Sequence, residues 1–297
     1  MTTPKLVGCG TALVTPFQSN GDIDEQALRA FVEWQLSEGI HFVVPCGSTG
    51  EAVTLSPAEH RRVVEITVEQ VAGRVPVIAG AGSNDTKKAI ALSRDVKAAG
   101  ATHLLQVAPM YNKPPQRGML AHFRAIADAC DLPIVLYNVP GRTASNIEAR
   151  TTLELAEDPR FVAVKEASAN LTQIGDIIRN RPANFSVLSG DDSWTLPIMA
   201  LGGDGIISVV SNATPRAMAN LANACLASDY VLARKIDASL ALWMHAAFIE
   251  SNPMPVKAAL KMLGKFDENF RLPLVPMAES FRPLVRAALV QAGALTA

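Results

Sequence analysis

Lys165 ends the run Phe161-Val162-Ala163-Val164, four apolar residues that read as a strand buried on both faces. An ammonium at the edge of a core is costly. The plain reading is that it snorkels to solvent or pairs with a carboxylate; the other is that it is a nucleophile. Side chains alternate along a strand, so Lys165 shares a face with Ala163, and Glu166 points the opposite way. The same counting on "PIVLYNVP" (133–140) puts Val135 and Tyr137 on one face, with Tyr137 at the strand's C-terminal end. A phenol is thus raised beside an amine. "CGSTGE" (46–51) adds the hydroxyls of Ser48 and Thr49 between glycines, in a turn whose N–H groups suit a carboxylate. "APMYNKPPQ" brings Tyr111, and "VPGRT" brings Arg142, a fixed cation able to hold a second carboxylate in bidentate fashion. The plain readings of these last three are an ordinary turn, a loop tyrosine and a surface arginine.

Together the set points to covalent amine catalysis. Desolvation disfavours the ammonium, so more of the lysine is the free nucleophile. It can condense with a ketone, and the resulting iminium draws electrons from the adjacent carbon. This chemistry calls for no metal and no organic cofactor.

Eight short apolar runs must position these groups: residues 8–14, 41–47, 75–82, 103–109, 133–140, 161–168, 185–191 and 205–210. Helical periodicity fills the gaps. In 24–39, Leu28, Phe31, Val32 and Leu36 fall on one face and Gly39 offers a C-terminal cap. "SPAE" (56–59) predicts an N-cap at Ser56, proline at the first helical position and a capping box closed by Glu59; "SND" (83–85) predicts another start. Doubly apolar strands alternating with helices imply a parallel sheet, and eight repeats favour an α/β (β/α)8 TIM barrel over an open doubly wound sheet. No GxGxxG follows the first strand and no P-loop occurs. Beyond about residue 212 only helical patterns remain. The chain therefore divides into a catalytic barrel, 1–224, and a C-terminal helical extension, 225–297.

Of the 297 residues, 49% are hydrophobic and 19% charged, with a formal net charge of -1. Without a basic run there is no nucleic-acid or anionic-membrane surface, so the expected partners are small molecules and copies of the chain itself. The 4 cysteines show neither a disulfide framework nor metal spacing. No apolar run approaches membrane length, and the start "MTTPKLVGCG" lacks a leader pattern, which gives a cytoplasmic expectation.

The strings "GSTGE" (47–51), "YNKP" (111–114), "YNVPGRT" (137–143), "VKEAS" (164–168), "LSGDD" (188–192), "GGDGIISV" (202–209) and "NPMPVKAAL" (252–260) occur in the order and spacing of one family. From about residue 8 to 293 the chain resembles the dihydrodipicolinate synthase / N-acetylneuraminate lyase family. The resemblance implies a Schiff-base mechanism on a (β/α)8 barrel, with pyruvate as the shared substrate. By position Lys165 resembles the imine-forming lysine and Tyr137 the phenol that shuttles protons. Ser48 and Tyr111 match the rest of a hydroxyl relay, Tyr111 reaching into a neighbouring subunit's site. Thr49 matches a group that holds the pyruvate carboxylate, and Gly190 and Ile207 match pocket-lining positions. The resemblance also implies a homotetramer built as a dimer of dimers.

Arg142 matches the arginine that binds the carboxylate of L-aspartate 4-semialdehyde in the synthase branch. The implied reaction condenses that aldehyde with pyruvate to 4-hydroxy-tetrahydrodipicolinate, on the route to diaminopimelate and lysine. The rivals are a pyruvate aldolase acting on 2-keto-3-deoxy sugar acids or sialic acid, and a barrel that binds pyruvate without chemistry. Two departures stand out. Ser48 occupies a position that commonly holds threonine in the synthases, and serine also occurs there in lyases. Lysine-inhibited synthases carry histidine, glutamate and tyrosine where this chain has Pro57, Lys88 and Met110, although His60 and Asn84 are retained. Lys88 would repel a bound lysine's ammonium, so weak or absent feedback inhibition is expected.

Overall fold

The computed structural model describes residues 5–296; the first four residues of the start read above for a leader, and residue 297, lie outside the described residues. Eight parallel strands form one sheet: β1 (Gly8–Ala12), β2 (Phe42–Val44), β3 (Ile78–Gly80), β4 (His103–Val107), β5 (Ile134–Asn138), β6 (Phe161–Glu166), β7 (Ser186–Ser189) and β8 (Gly205–Ser208). Their order, β2-β1-β8-β7-β6-β5-β4-β3, leaves one seam. A parallel bridge between Val43 and Val77 closes it, with the Val43 amide donating to the Pro76 carbonyl at 3.1 Å and the Gly80 amide to the Pro45 carbonyl at 3.0 Å. The sheet is a barrel, as the eight apolar runs predict.

Helices follow the strands in turn: α1 (Glu25–Ser37), α2 (Pro57–Val71), α3 (Thr86–Ala98), α4 (Gln116–Ala129), a single-turn α5 (Pro140–Thr143) with α6 (Ala149–Ala156), α7 (Leu171–Asn180), α8 (Thr195–Ala200) and α9 (Pro215–Leu226). Beyond them lie α10 (Tyr230–Ala246), α11 (Met254–Met262) and α12 (Arg282–Gln291). Local signals behave as read. The Ser56 hydroxyl accepts from the Glu59 amide while the Glu59 carboxylate accepts from the Ser56 amide, and Asp85 caps α3. Gly39, at φ +87°, closes α1.

Two apolar layers result. Alternate strand residues, among them Cys9, Val43, Leu104, Leu136, Val164 and Ile206, pack outward against the helices. The others, including Phe42, Val44, Ile78, Leu105, Val135 and Ala163, fill the barrel. Space is tight where β1 meets β2: a Cβ at Gly10 would lie 1.9 Å from the ring of the paired Phe42. One alternation breaks. Val162, which strict alternation from Ala163 and Lys165 puts on the outer face with Val164, belongs to the inner cluster, because the pairing slips by one residue between Ile134–Phe161 and Val135–Ala163. A bulge there lets two residues of β6 oppose one step of β5. Above it the register is regular, and Tyr137 pairs directly with Lys165.

Candidate active site

A cavity of about 170 Å3 opens at the C-terminal ends of the strands, lined by Ser48, Thr49, Tyr137, Arg142, Lys165 and Gly190 among others. Six of the eight residues singled out from the sequence thus meet in one place, and Lys165 reaches it with only 4% of its surface exposed. Its Nζ lies 4.2 Å from the centroid of the Tyr137 ring. Burial pulls the ammonium's pKa from its usual 10.5 down to about 8; the Asp192 carboxylate opposes that shift and the Arg142 cation assists it. The Tyr137 phenol, also buried, is pushed up to about 12, chiefly by desolvation, so it is protonated at neutral pH. Gly190 makes room for the lysine: a Cβ there would come within 3.0 Å of Lys165 Cγ and 3.1 Å of Cε.

The strand tops are held by a polar network on the outer face. Glu166 does point away from Lys165 as the alternation requires. Its carboxylate accepts from Asn138 Nδ2 at 3.1 and 3.2 Å, from Gln173 Nε2 at 3.1 Å and from the Ser168 amide at 2.9 Å. Asn138 Nδ2 also donates to Asn146 at 2.8 Å. The bonds join β5, β6 and α7 just outside the Tyr137–Lys165 pair. Burial raises the pKa of Glu166 while its donors pull the other way.

The other groups differ in how firmly they are set. Thr49 is buried, and its Oγ1 accepts from Asn252 Nδ2 at 2.8 Å. Because that oxygen already accepts, its own O–H is free to donate into the cavity. Ser48 and Arg142 are exposed at the rim, Arg142 on the single helical turn α5 just beyond the fifth strand. Two residues stand apart from the cavity. Ile207 is fully buried in the barrel's inner cluster and does not line it. Tyr111 is 88% exposed on a left-handed turn at φ +73°, its amide donating to the Thr143 carbonyl at 3.1 Å. It does not join the cavity of its own chain.

Asn252, which lines the cavity, and Asp192, which acts on Lys165 by charge from outside that lining, are not singled out by the sequence. Asp192 is buried and accepts from the Ser208 hydroxyl at 2.5 Å and from the Val209 and Val210 amides at 3.0 and 3.3 Å; burial still pushes its pKa up to about 6. Its charge is the main one acting against the lowered pKa of Lys165. Both residues stand in quoted strings, "LSGDD" and "NPMPVKAAL", but nothing in local periodicity tells which of two adjacent aspartates turns inward. A second cavity, about 270 Å3, shares Ser48 and Tyr137 with the first and gathers Pro57, His60, Lys88 and Met110. Asn84 Nδ2 donates to the Met110 carbonyl at its edge.

Among the described residues no group of three or more His, Cys, Asp or Glu side chains is placed to hold a metal ion, and no helix is long and apolar enough to cross a membrane. All four cysteines are free and buried.

A closed parallel barrel with a small polar-rimmed cavity at its C-terminal mouth defines a (β/α)8 enzyme acting on small molecules. The particular family follows from comparison with known proteins. The model of the dihydrodipicolinate synthetase family matches residues 5–292, and the chain belongs to that family. It is 51% identical to the 4-hydroxy-tetrahydrodipicolinate synthase of Koribacter versatilis, over 98% of this chain and 97% of that one. Its fold is similar to that of a dihydrodipicolinate synthase from Acinetobacter baumannii complexed with pyruvate, with a TM-score of 0.96, 40% identity and coverage of 98% and 100%. It is also similar to the lysine-bound enzyme of Cyanidioschyzon merolae, with a TM-score of 0.95, 39% identity and coverage of 99% and 100%.

Proposed function

We propose that this chain is a 4-hydroxy-tetrahydrodipicolinate synthase acting through an imine at Lys165. The neutral amine attacks the ketone carbon of pyruvate, and loss of one water leaves the imine. Removal of a methyl proton gives the enamine, whose carbon attacks the aldehyde carbon of L-aspartate 4-semialdehyde and forms the new C–C bond. The amine of the semialdehyde portion then attacks the imine carbon and expels the Lys165 amine, closing the ring without further loss of water. Each turnover therefore releases one water and one 4-hydroxy-tetrahydrodipicolinate. Tyr137, protonated and beside Nζ, donates to the leaving hydroxyl and takes the proton back.

The observation that carries this reading is the buried amine at a cavity, its Nζ 4.2 Å from the centroid of the Tyr137 ring and its pKa drawn to about 8. The Thr49 hydroxyl and the "GSTG" turn receive the pyruvate carboxylate, and Ser48 extends the hydroxyl relay from Tyr137. Gly190 leaves Lys165 its path, and Ile207 belongs to the apolar inner layer, shared with Tyr137, against which the pocket is built. Arg142, charged and at the rim, takes the carboxylate of the incoming aldehyde. Tyr111, which projects from its own chain, completes the site of a second copy in a homotetramer arranged as a dimer of dimers. The setting is the cytoplasm. In function the barrel is residues 1–224 and the extension 225–297, although α9 ends at Leu226 and Asn252 of the extension reaches the cavity.

Pyruvate consumption with aspartate semialdehyde, run beside pyruvate release from keto-deoxy sugar acids and sialic acid, tests the assignment. Turnover with the semialdehyde alone supports the synthase; pyruvate release from a sugar acid would transfer the chain to the lyase branch and leave Arg142 without a role.

A further inference from the structure

Glu51 and Lys257 end and interrupt two of the strings quoted above, and the mechanism uses neither. The structure joins them across 206 residues of chain: Lys257 Nζ donates to Glu51 Oε1 at 2.5 Å, with both side chains wholly buried. Lys257 also donates to the Asn269 carbonyl at 2.8 Å, and its Nζ lies 4.3 and 4.8 Å from the ring centroids of Phe17 and Phe270. Glu51 Oε2 has no partner.

A buried pair with an unsatisfied oxygen is a poor way to add stability, since apolar side chains of the same volume often do as well or better. What a charged pair adds is direction. Glu51 sits in left-handed backbone, φ +54°, at the foot of the Ser48–Thr49–Gly50 turn. On one side Gly50 is held to the segment after β1, its carbonyl accepting from the Thr15 hydroxyl at 2.7 Å, and a Cβ there would lie 3.0 Å from the Leu13 carbonyl oxygen. On the other side two ties, Asn252 to Thr49 and Lys257 to Glu51, both come from the segment that opens α11. Alternate residues of the turn are therefore fixed to one short stretch of the extension, and the residue between them is fixed to the barrel.

We propose that the Glu51–Lys257 pair is a positioning device that sets the Thr49 turn at the spacing a substrate carboxylate requires, with the C-terminal extension as its outer anchor. Glu51 and Lys257 act through Thr49 and touch no substrate. The proposal rests on the reading of Thr49 as the carboxylate cradle. Its signature is a loss of ground-state binding: half-saturating pyruvate rises by about tenfold with kcat within about threefold, since a displaced cradle weakens substrate and transition state alike.

The decisive variant is the neutral pair E51Q/K257M, which removes both charges at once and avoids stranding either; E51Q/K257Q, able to form a neutral hydrogen bond, serves where the first folds poorly. Melting temperature, pyruvate KM, kcat and borohydride trapping of the pyruvate imine are measured on each variant and on the native enzyme. The expected result is a neutral pair that folds, still traps pyruvate and shows the raised KM. Neutral variants with native KM overturn the positioning role and leave the function intact, as does a fall in kcat alone. Absence of a trapped imine in the native enzyme overturns the function itself and this proposal with it.

Discussion

Lys165 and Lys257 are both buried, at 4% and 0% exposure, and burial draws both pKa values down to about 8. Their surroundings differ. Lys257 has a carboxylate oxygen, a carbonyl oxygen and two aromatic rings around its Nζ, so its protons are engaged and it faces no open space. Lys165 has one aromatic ring on one side and the cavity on the other, with Asp192 acting on it by charge and not by contact. Burial makes an amine easier to deprotonate; an unshared lone pair with space before it makes that amine a nucleophile.

The largest effect that this contrast requires is at Lys165. Lys165→Ala is expected to lower turnover by at least about a thousandfold with the fold retained, because the nucleophile is gone; circular dichroism beside steady-state assay measures both. Near-native turnover would place the chemistry elsewhere. Tyr137→Phe follows, with a loss of about a hundredfold in imine formation, in the range for a proton-transfer group. Rapid-mixing measurement of imine appearance checks it. Lys257→Met is expected to cost about 3 to 5 kcal/mol of stability by leaving Glu51 buried and alone, a loss readable in urea melts. It leaves the pH dependence of imine formation unchanged, with a rate that rises through about pH 8 as Lys165 loses its proton and levels above. A midpoint that moves with Lys257 would assign that titration to the wrong lysine. The smallest effect is at the second cavity, where Lys88 stands and millimolar L-lysine is expected to leave turnover unchanged. Inhibition at that concentration would mean the cavity accepts an ammonium despite Lys88.

Much of this contrast is legible in the sequence. Strand alternation placed Lys165 and Tyr137 on the same side and Glu166 on the other, because period-two geometry is local and the strand tops are regular. The β6 bulge was not legible, since it depends on how β5 pairs beside it and leaves the hydrophobic pattern unbroken. Arg142 was placed after the fifth strand, but its single helical turn is too short to show periodicity. Asn252 and Lys257 were visible only as parts of a family string. Their partners lie more than 200 residues away, and no spacing rule reaches that far. Asp192 was hidden by its neighbour Asp191, because both carboxylates look alike until the turn after β7 selects one for the interior.

Reduction with borohydride in the presence of pyruvate, followed by peptide mapping, tests the central claim most directly. A stable adduct on Lys165 alone is the expected result, with Lys257 unmodified. An adduct on Lys257, or none anywhere, would contradict the account.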